Sequence, residues 1–255
     1  MYTYWLQFVY IFFVLCGIIV VEVKTMIKYV FFDLDETLID IKRAQNVAIE
    51  SLFSLYSFNN ATDINSFIKK WDELTDYHYK FYTTKQISYE EQRRRRITDL
   101  FKAYNIPLTN DAIDVYNIYL REFENAWAVF DDVKETLEEL KKNDYILGLI
   151  SNGDYGQQVQ KMQYVGIYDL FDYINTSSQF EYSKPNPQLF EKIFAMHNIN
   201  YEKVCYIGDS YKKDILPCRQ IGVKSILIDR KGVDYNDPEL IKINTLNDVL
   251  KLIQK

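Results

Sequence analysis

Four short polar motifs hold the side chains of this 255-residue chain that could do chemistry. In chain order they are Asp33-Leu34-Asp35-Glu36-Thr37, Ser151-Asn152-Gly153, Lys184-Pro185-Asn186-Pro187, and Gly208-Asp209 with Asp214. Each motif lies at or just after the end of an apolar, strand-like run. Ligand sites in open parallel sheets lie just outside the carboxyl ends of the strands, so we expect the motifs to meet at one sheet edge. Aspartate pairs, a serine and a lysine gathered there are the residue types that phosphoryl transfer through an aspartate requires.

The first motif supplies a nucleophile and a proton carrier. Tyr29–Phe32 is a run of aromatic and β-branched residues, the pattern of a strand buried on both faces, and Asp33 follows it directly. A carboxylate there could attack phosphorus and form an aspartyl-phosphate, which divides one difficult displacement into two easier ones. Asp35 lies two residues on, on the same side of an extended chain. It could therefore protonate the leaving oxygen and later activate water.

This chemistry needs a cation, because a carboxylate and a phosphate repel each other. Mg²⁺ suits the role, since it is hard and octahedral and is held by few carboxylates together with phosphate oxygens and waters. Asp209 and Asp214 follow the strand-like run at residues 204–207 and could supply the other acidic side of the metal site. An alternative interpretation of Asp214, as a helix cap, stays open at this point.

The two middle motifs supply groups that could bind phosphoryl oxygens. Ser151 follows the apolar run at residues 145–150, and its hydroxyl could hold an oxygen together with the backbone N–H groups of Asn152 and Gly153. Lys184 offers a compact positive charge for the negative charge that develops during transfer. Taken singly, Lys184 could also be a solvated loop residue. The order of all four motifs after strand-like runs favours a phosphate site.

These motifs resemble, in the same order, those of the haloacid dehalogenase-like phosphatase superfamily, which read Asp-x-Asp-x-Thr, Ser or Thr, Lys, and a pair of Asp. The resemblance extends from residue 26 to about residue 229. It implies a doubly wound parallel sheet of Rossmann-like type, with Asp33 as nucleophile and Asp35 as general acid and base. The implied metal ligands are Asp33, Asp35 through its backbone carbonyl, and Asp209. Asp214 would support the metal's water shell, and Ser151 and Lys184 would bind the phosphoryl group.

The gaps between the motifs predict two domains. The distance along the chain from Asp33 to Ser151 is far longer than one strand–helix–strand unit needs. Four stretches inside it repeat apolar residues at helical intervals: 45–56, 64–81, 89–104 and 111–125. We therefore predict an α/β core made of residues 26–41 and 126–255, with a helical cap at residues 42–125 inserted after the first strand.

The cap contains a run of four arginines at residues 93–96. One interpretation is a solvated helix face, supported by Glu90 and Glu91. The other is a substrate contact, because Arg93 and Arg96 lie near the apolar stripe of the helix and one of them could reach an anionic or polar substrate. Arg96 is favoured over Arg93, since the resemblance implies an arginine directly before an apolar residue in this part of the cap.

Residues 4–21 are almost wholly apolar, a length at the lower limit for a membrane span. Lys24 and Lys28 follow this run and would place an anchored enzyme on the cytoplasmic side. Met26 is also a natural start for a chain of this superfamily, in which case residues 1–25 are not part of the natural protein. A cleaved signal peptide is disfavoured, because no basic residue precedes the apolar run. We expect a cytoplasmic enzyme, with membrane contact only if residues 4–21 are an anchor.

Composition excludes some classes of function. The net charge is −6 and no broad basic face is evident, so binding to a nucleic-acid backbone is not expected. The three cysteines, Cys16, Cys205 and Cys218, are scattered without metal-ligand spacing, which is typical of reduced thiols in a reducing compartment.

The expected function is Mg²⁺-dependent hydrolysis of a phosphomonoester of a small metabolite. A haloacid dehalogenase is disfavoured, because that branch typically lacks an aspartate at the position of Asp35. A phosphomutase, a phosphonatase with a lysine from its cap, and a non-catalytic binding module are further alternatives. The Asp-x-Asp-Glu-Thr-Leu form and the helical cap resemble pyrimidine 5′-nucleotidase-like members. Phosphoglycolate and acylneuraminate 9-phosphate phosphatases are close rivals.

Overall fold

The structure is a computed structural model that describes residues 9–14, 17–22 and 26–254. Two compact units make up the described chain. The first takes in the chain up to Asp33, Glu135–Tyr155 and everything from Leu170 onward; the second comprises Leu34–Lys134 and Gly156–Asp169.

The apolar N-terminal segment contains two short strands, β1 (Val9–Val14) and β2 (Gly17–Glu22), which pair antiparallel. Among the described residues, no helix is long and apolar enough to cross a membrane. The anchor predicted at residues 4–21 falls partly on residues 4–8 and 15–16, which lie outside the described residues.

The first unit is built on a six-stranded sheet in which every pairing of the described strands is parallel. The strands are β3 (Tyr29–Phe32), β4 (Ile146–Ser151), β5 (Tyr173–Thr176), β6 (Val204–Gly208), β7 (Lys224–Ile228) and β8 (Lys242–Ile243). Their order across the sheet is β5-β4-β3-β6-β7-β8. The predicted α/β parallel-sheet core is therefore confirmed, with the strand that precedes Asp33 at its centre.

The strands are apolar because both faces of the sheet are covered. Every residue of β6 is buried, and so are the last three residues of β3. On one face, Phe31 packs edge-on against Phe194 of helix α7 (Pro187–Met196), with ring centroids 5.2 Å apart. Burying a side chain of this size contributes about 1.5–3 kcal/mol relative to exposure, so this packing stabilises the central strands.

Four further helices belong wholly or partly to the first unit. Helix α5 (Val133–Lys142) and helix α6 (Tyr155–Tyr164) each continue from one unit into the other along the chain. The short helices α8 (Leu216–Gln220) and α9 (Val249–Ile253) belong to the first unit alone.

The second unit is mainly helical. Its helices are α1 (Ile41–Leu55), α2 (Ile64–Thr83), α3 (Tyr89–Ala103) and α4 (Ala112–Asn125). They share a core in which Phe58, Phe67, Trp71 and Phe101 are almost fully buried. All four helices occur within a few residues of the stretches predicted from apolar spacing.

Capping residues fix where these helices begin. Asp40, Asp63, Ser88 and Asp111 each precede a helix and accept a hydrogen bond from a backbone N–H of its first turn. Each such cap contributes about 1 kcal/mol. Helix α1 begins four residues before its prediction, because the Asp40 cap starts the helix ahead of its apolar repeat.

The predicted domain limits, 26–41 with 126–255 and 42–125, stay a prediction, and the compact units divide the chain elsewhere. The second unit begins at Leu34 because the turn after Asp33 is hydrogen-bonded within that unit. The N–H of Asp40 donates to the carbonyl of Ala128 at 3.0 Å, and the N–H of Phe130 donates to the carbonyl of Leu38 at 3.1 Å. The entering and returning chains are therefore joined side by side.

Candidate active site

The register of the central strands brings the first motif beside the others. Phe32 pairs with Leu149 of β4 and with Ile207 of β6. Asp33 extends the ladder by one residue, since its N–H donates to the carbonyl of Ile207 at 2.9 Å. Ser151 ends β4 and is buried at 1% exposure. The carboxyl ends of three neighbouring strands thus carry motif residues.

The ammonium group of Lys184 connects the site. Lys184 is 4% exposed, and its Nζ donates to Asp33 Oδ1 at 2.5 Å, to Asp214 Oδ1 at 2.7 Å and to the Tyr206 hydroxyl at 3.0 Å. An ammonium group has three N–H donors, so all of them are engaged. Asp33 and Asp214 are buried as well. The interpretation of Lys184 as a solvated loop residue is therefore wrong.

The electrostatics of this cluster keep Lys184 charged. Burial alone would lower the pKa of Lys184, but the carboxylates of Asp214 and Asp33 outweigh it and hold that pKa above its ordinary value. Burial and the Asp214 charge raise the pKa of Tyr206 well above its ordinary value, so Tyr206 is a neutral phenol. The lysine is the positive centre of a buried, otherwise acidic group.

Tyr206 was missed by sequence reasoning, which took it for part of an apolar strand. Its hydroxyl lies 3.0 Å from the carbonyl of Ile150 and 3.1 Å from Asp214 Oδ1, and it can donate its one proton to either. A tyrosine among Val, Cys and Ile was the available signal, because a buried tyrosine hydroxyl usually has a partner.

Asp214 is held by the turn that follows β6. Its Oδ2 accepts from the N–H of Ser210 at 2.9 Å, and it lies in a π-helical turn, Tyr211–Ile215. Helix α8 has no side-chain cap, so Asp214 does not act as the cap of that helix. Gly208 permits this approach, because a β-carbon there would lie 2.4 Å from Asp214 Cγ. Gly208 is thus required for the close contact with the Asp214 carboxyl group, and not for a left-handed backbone conformation.

Three carboxylates form a candidate metal centre. Asp33, Asp209 and Asp214 each offer an oxygen, and these oxygens lie within 4.8 Å of one another. Hard oxygen donors of this kind fit Mg²⁺. The structure thus brings the Asp214 carboxylate as close as the two carboxylates predicted to ligate the metal directly, those of Asp33 and Asp209. Both oxygens of Asp214 already accept protein hydrogen bonds, from Lys184 and from Ser210.

Asn152 holds the loop of Lys184 in place. The Asn152 side chain donates to the backbone carbonyl of Lys184 at 2.8 Å and accepts from its N–H at 2.9 Å. These reciprocal bonds fix the backbone from which the buried ammonium extends. The predicted phosphate contact of Asn152 through its own backbone stays a prediction. The role of its side chain was not foreseen, since no local pattern pairs residues so far apart along the chain.

Asp35 lies in the second unit and has its own partners there. Lys161 Nζ lies 2.7 Å from Asp35 Oδ1 and 2.9 Å from Oδ2, and Gln158 Nε2 donates to Oδ2 at 3.2 Å. The carboxylate of Asp35 is not among the three that cluster in the described chain. Its predicted metal contact through the backbone carbonyl stays a prediction.

The sequence from residue 30 to residue 228 matches the family described as haloacid dehalogenase-like hydrolases. The chain belongs to this family. It is therefore an enzyme of the hydrolase class, and the predicted resemblance and fold are confirmed.

Named relatives of this hydrolase include two enzymes that cover most of it. The glyceraldehyde 3-phosphate phosphatase of Pyrococcus furiosus is 26% identical over 241 residues, which is 88% of this chain and 93% of that protein. The pyrimidine 5′-nucleotidase PynA of Streptococcus pneumoniae is 26% identical over 201 residues, covering 78% of this chain and 82% of that protein.

Solved structures share the fold of the hydrolase. YfnB of Bacillus subtilis, solved bound to magnesium, superposes with a TM-score of 0.72 at 19% identity, over 90% of this chain and 100% of that one. The L-2-haloacid dehalogenase RSc1362 gives a TM-score of 0.69 at 18% identity, over 91% and 100% of the two chains. At these identities the likeness shows the fold alone.

Two arginines of the run at residues 93–96 in this hydrolase form surface ion pairs. Arg94 Nη1 lies 2.8 Å from both carboxylate oxygens of Asp111, and Arg95 Nε lies 2.6 Å from Glu91. The interpretation as a solvated, paired helix face holds for these two residues.

The other two arginines of the run have no carboxylate partner among the described residues. Arg96 is 6% exposed; it donates to Thr75 Oγ1 at 2.9 Å and to the Tyr116 hydroxyl at 3.0 Å. Arg93 lies over the Tyr89 ring, 4.0 Å from its centroid. The Nε atoms of both arginines are buried without a hydrogen-bond partner in the part of the chain that the structure describes. These are the two residues predicted to contact substrate.

We predict that Gly208→Ala impairs the site beyond its cost in stability. The added methyl would overlap the Asp214 carboxyl group and displace it from Lys184. Overpacking of this kind costs about 1–3 kcal/mol. Gly148→Ala is the control, because its methyl would meet the Phe31 ring of the same sheet at 2.1 Å and no site carboxylate. The midpoint temperature of thermal unfolding should fall in both variants. Turnover per folded molecule should fall more in Gly208→Ala than in Gly148→Ala. An equal loss of turnover would contradict this prediction.

Proposed function

We propose that this hydrolase is a Mg²⁺-dependent phosphatase that releases phosphate from a small phosphorylated metabolite through an aspartyl-phosphate on Asp33. The observation that carries the proposal is the buried Asp33–Lys184–Asp214 group, with Asp209 beside it, at the carboxyl ends of parallel strands. Relatives named as a phosphatase and a nucleotidase support the reaction class. Three carboxylates, whose oxygens lie within 4.8 Å of one another, support the metal.

In the first step, a carboxylate oxygen of Asp33 attacks phosphorus. The new Asp33–phosphorus bond forms as the ester P–O bond breaks, and the leaving oxygen takes a proton from Asp35. Contact with Lys184 orients the Asp33 carboxylate before the attack. Mg²⁺ held by Asp33 and Asp209, with Asp214 in support, would reduce the repulsion between the carboxylate and the phosphate.

In the second step, water attacks the phosphorus of the aspartyl-phosphate. Asp35, now ionised, accepts a proton from that water, the bond between Asp33 and phosphorus breaks, and inorganic phosphate leaves. Asp33 returns as a carboxylate and Asp35 returns protonated, so the cycle balances.

Ser151, the backbone N–H of Asn152 and Lys184 would hold the phosphoryl oxygens. The three N–H donors of Lys184 are already engaged by Asp33, Asp214 and Tyr206. We infer that its bond to Asp33 is the one that passes to a phosphoryl oxygen, because Asp33 loses its negative charge as it becomes an acyl-phosphate.

The helical unit would select the substrate, with Arg96 binding a part of it that is remote from the phosphate. The unpartnered Nε of Arg96 and the absence of a carboxylate around its charge, among the described residues, support this role. The free, buried thiols of Cys205 and Cys218 fit a reducing compartment such as the cytoplasm. Screening the protein against a panel of phosphorylated metabolites with Mg²⁺ tests the proposed function directly.

Asp33→Asn should abolish steady-state turnover while the protein stays folded, because an amide cannot form the acyl-phosphate. Asp35→Asn should lower turnover by about 10²–10⁴-fold, the usual contribution of a general acid or base. Acid-quenched protein from the Asp35 variant should retain labelled phosphate, since hydrolysis of the intermediate is slowed. Phosphatase activity that survives in Asp33→Asn would refute the assignment.

Removal of Mg²⁺ should stop the reaction. Asp209→Ala should weaken the apparent affinity for Mg²⁺ more than Asp214→Ala does, because the oxygens of Asp214 already accept bonds from Lys184 and Ser210. Loss of a group that only supports a metal ligand typically costs about 10–100-fold in affinity. Ca²⁺ should inhibit, since it prefers more ligands and looser geometry.

Titration of activity with Mg²⁺ measures the apparent Mg²⁺ affinity of the Asp209 and Asp214 variants. Asp234→Ala, at an exposed position, is the control. Full activity in excess chelator after metal removal would contradict the metal requirement. A larger effect of Asp214→Ala than of Asp209→Ala would instead reverse their roles.

Arg96→Met should raise KM for the physiological ester by about 10- to 100-fold, the size of one lost charged hydrogen bond of about 1.5–3 kcal/mol. A small aryl phosphate lacks the remote group, so its hydrolysis should change little. Arg94→Met is the matched control on the same helix, because Arg94 pairs with Asp111 at the surface. An equal loss on both substrates would indicate damage to the helical unit rather than a lost contact.

A further inference from the structure

Lys161 is a buried lysine that has no role in the two proposed steps. It lies on helix α6 at 4% exposure. Its ammonium contacts both carboxylate oxygens of Asp35, at 2.7 Å and 2.9 Å. Among the described residues, Asp35 is its one carboxylate partner.

Burial makes this pairing specific. A buried ammonium group needs acceptors for its N–H groups, so Lys161 depends on the Asp35 oxygens more than a surface lysine depends on its partner. The dependence is one-sided, because the Asp35 side chain keeps 33% of its surface exposed and the Lys161 side chain keeps 5%. The buried lysine therefore destabilises the fold unless the Asp35 carboxyl group lies at this position.

Gln158 acts on the same carboxylate from the same helix. It lies three residues before Lys161, and residues at that spacing share a helix face. Its Nε2 donates to Asp35 Oδ2, and the residue is 1% exposed. Two fixed donors on one helix thus set the direction of the Asp35 carboxyl group, whose side-chain bonds could otherwise rotate.

We propose that Lys161, assisted by Gln158, is a positioning residue that aims the Asp35 carboxyl group for proton transfer. The proposal rests on the proposed role of Asp35 as general acid and base. Lys161 does not touch the reacting atoms and acts through Asp35 alone. A proton carrier that is displaced by about 1 Å can cost about 10²-fold in rate, so holding its orientation has a measurable consequence.

This role predicts for which phosphate esters turnover is slowed when Lys161 is replaced. Cleavage of an alkyl phosphate needs a proton for its leaving oxygen, and hydrolysis of the aspartyl-phosphate needs a base. Attack of Asp33 on an aryl phosphate with a good leaving group needs neither. The loss of Lys161 should therefore slow alkyl-ester turnover and hydrolysis of the intermediate, and leave phosphorylation by the aryl ester unchanged.

The test is a double-mutant cycle on the full chain, with Lys161→Met, Asp35→Asn and the double variant. Glycerol 3-phosphate and 4-nitrophenyl phosphate serve as probes, and rapid quench measures the phosphoenzyme burst separately from the steady state. Lys161→Met should lower kcat for the alkyl ester by about 10²-fold, while the burst rate with the aryl ester stays within about twofold. In the Asp35→Asn background, the same substitution should change kcat by no more than about twofold.

Two further variants separate positioning from general damage. Lys161→Arg should restore part of the lost kcat, because a guanidinium group can also contact both oxygens of a carboxylate. Lys192→Met is the control, since Lys192 is an exposed lysine paired with Glu181. It should leave both probes unchanged.

The outcomes separate this inference from the proposed function. One outcome is that the wild-type enzyme turns over both esters while the fold losses in kcat of the two single variants multiply in the double variant. In that case Lys161 does not act through Asp35, and the inference is overturned. An equal loss of burst rate and steady-state rate in Lys161→Met would also overturn it. If Asp33→Asn retains turnover, or the wild type cleaves no phosphate ester, the proposed function itself fails and the positioning role fails with it.

Discussion

The site depends on one buried ammonium group, that of Lys184, which allows carboxylates to lie together at the end of the sheet. Oxygens from Asp33, Asp209 and Asp214 lie within 4.8 Å of one another. Two like charges about 4 Å apart repel by about 4 kcal/mol at an effective dielectric constant of 20. Lys184 contacts two of the three carboxylates, so a neighbouring positive charge offsets part of that repulsion before any metal binds. Removing this charge would deprive two buried carboxylates of their ammonium partner, which is far more costly than losing a surface ion pair.

Several features of the fold exist to hold that ammonium in place. The side chain of Asn152 fixes the backbone of Lys184 from the end of β4. Tyr206 reaches it from within β6, with a hydroxyl that can accept from the lysine and donate onward. Gly208 leaves the space into which the Asp214 carboxyl group turns. The end of β4 and strand β6 with the turn after it are distant in sequence and converge on one side chain, and the parallel register of the central strands brings them together.

Much of this site follows from the sequence, because its parts are local. A buried strand followed directly by Asp33 can be predicted from the sequence, since the apolar run and the carboxylate are adjacent. The helices of the second unit are equally readable, since a residue such as Ser88 or Asp111 precedes each apolar repeat. What could not be predicted depends on contacts across the fold. The side-chain bonds of Asn152, and the contact of Lys161 with Asp35, join residues far apart along the chain, and no periodic pattern reports such a pairing.

The two aspartates of the first motif have similar chemistry but different surroundings. Asp33 is buried beside Lys184, in the unit that contains the sheet, where its charge is shared with other carboxylates. Asp35 belongs to the mainly helical unit, and its carboxylate is one-third exposed and paired with Lys161. A nucleophile needs an ionised group fixed against a cationic site, whereas a proton carrier needs access to water. Placing one lysine beside each aspartate satisfies both needs, because each carboxylate gains a fixed orientation while only the second remains partly open to solvent.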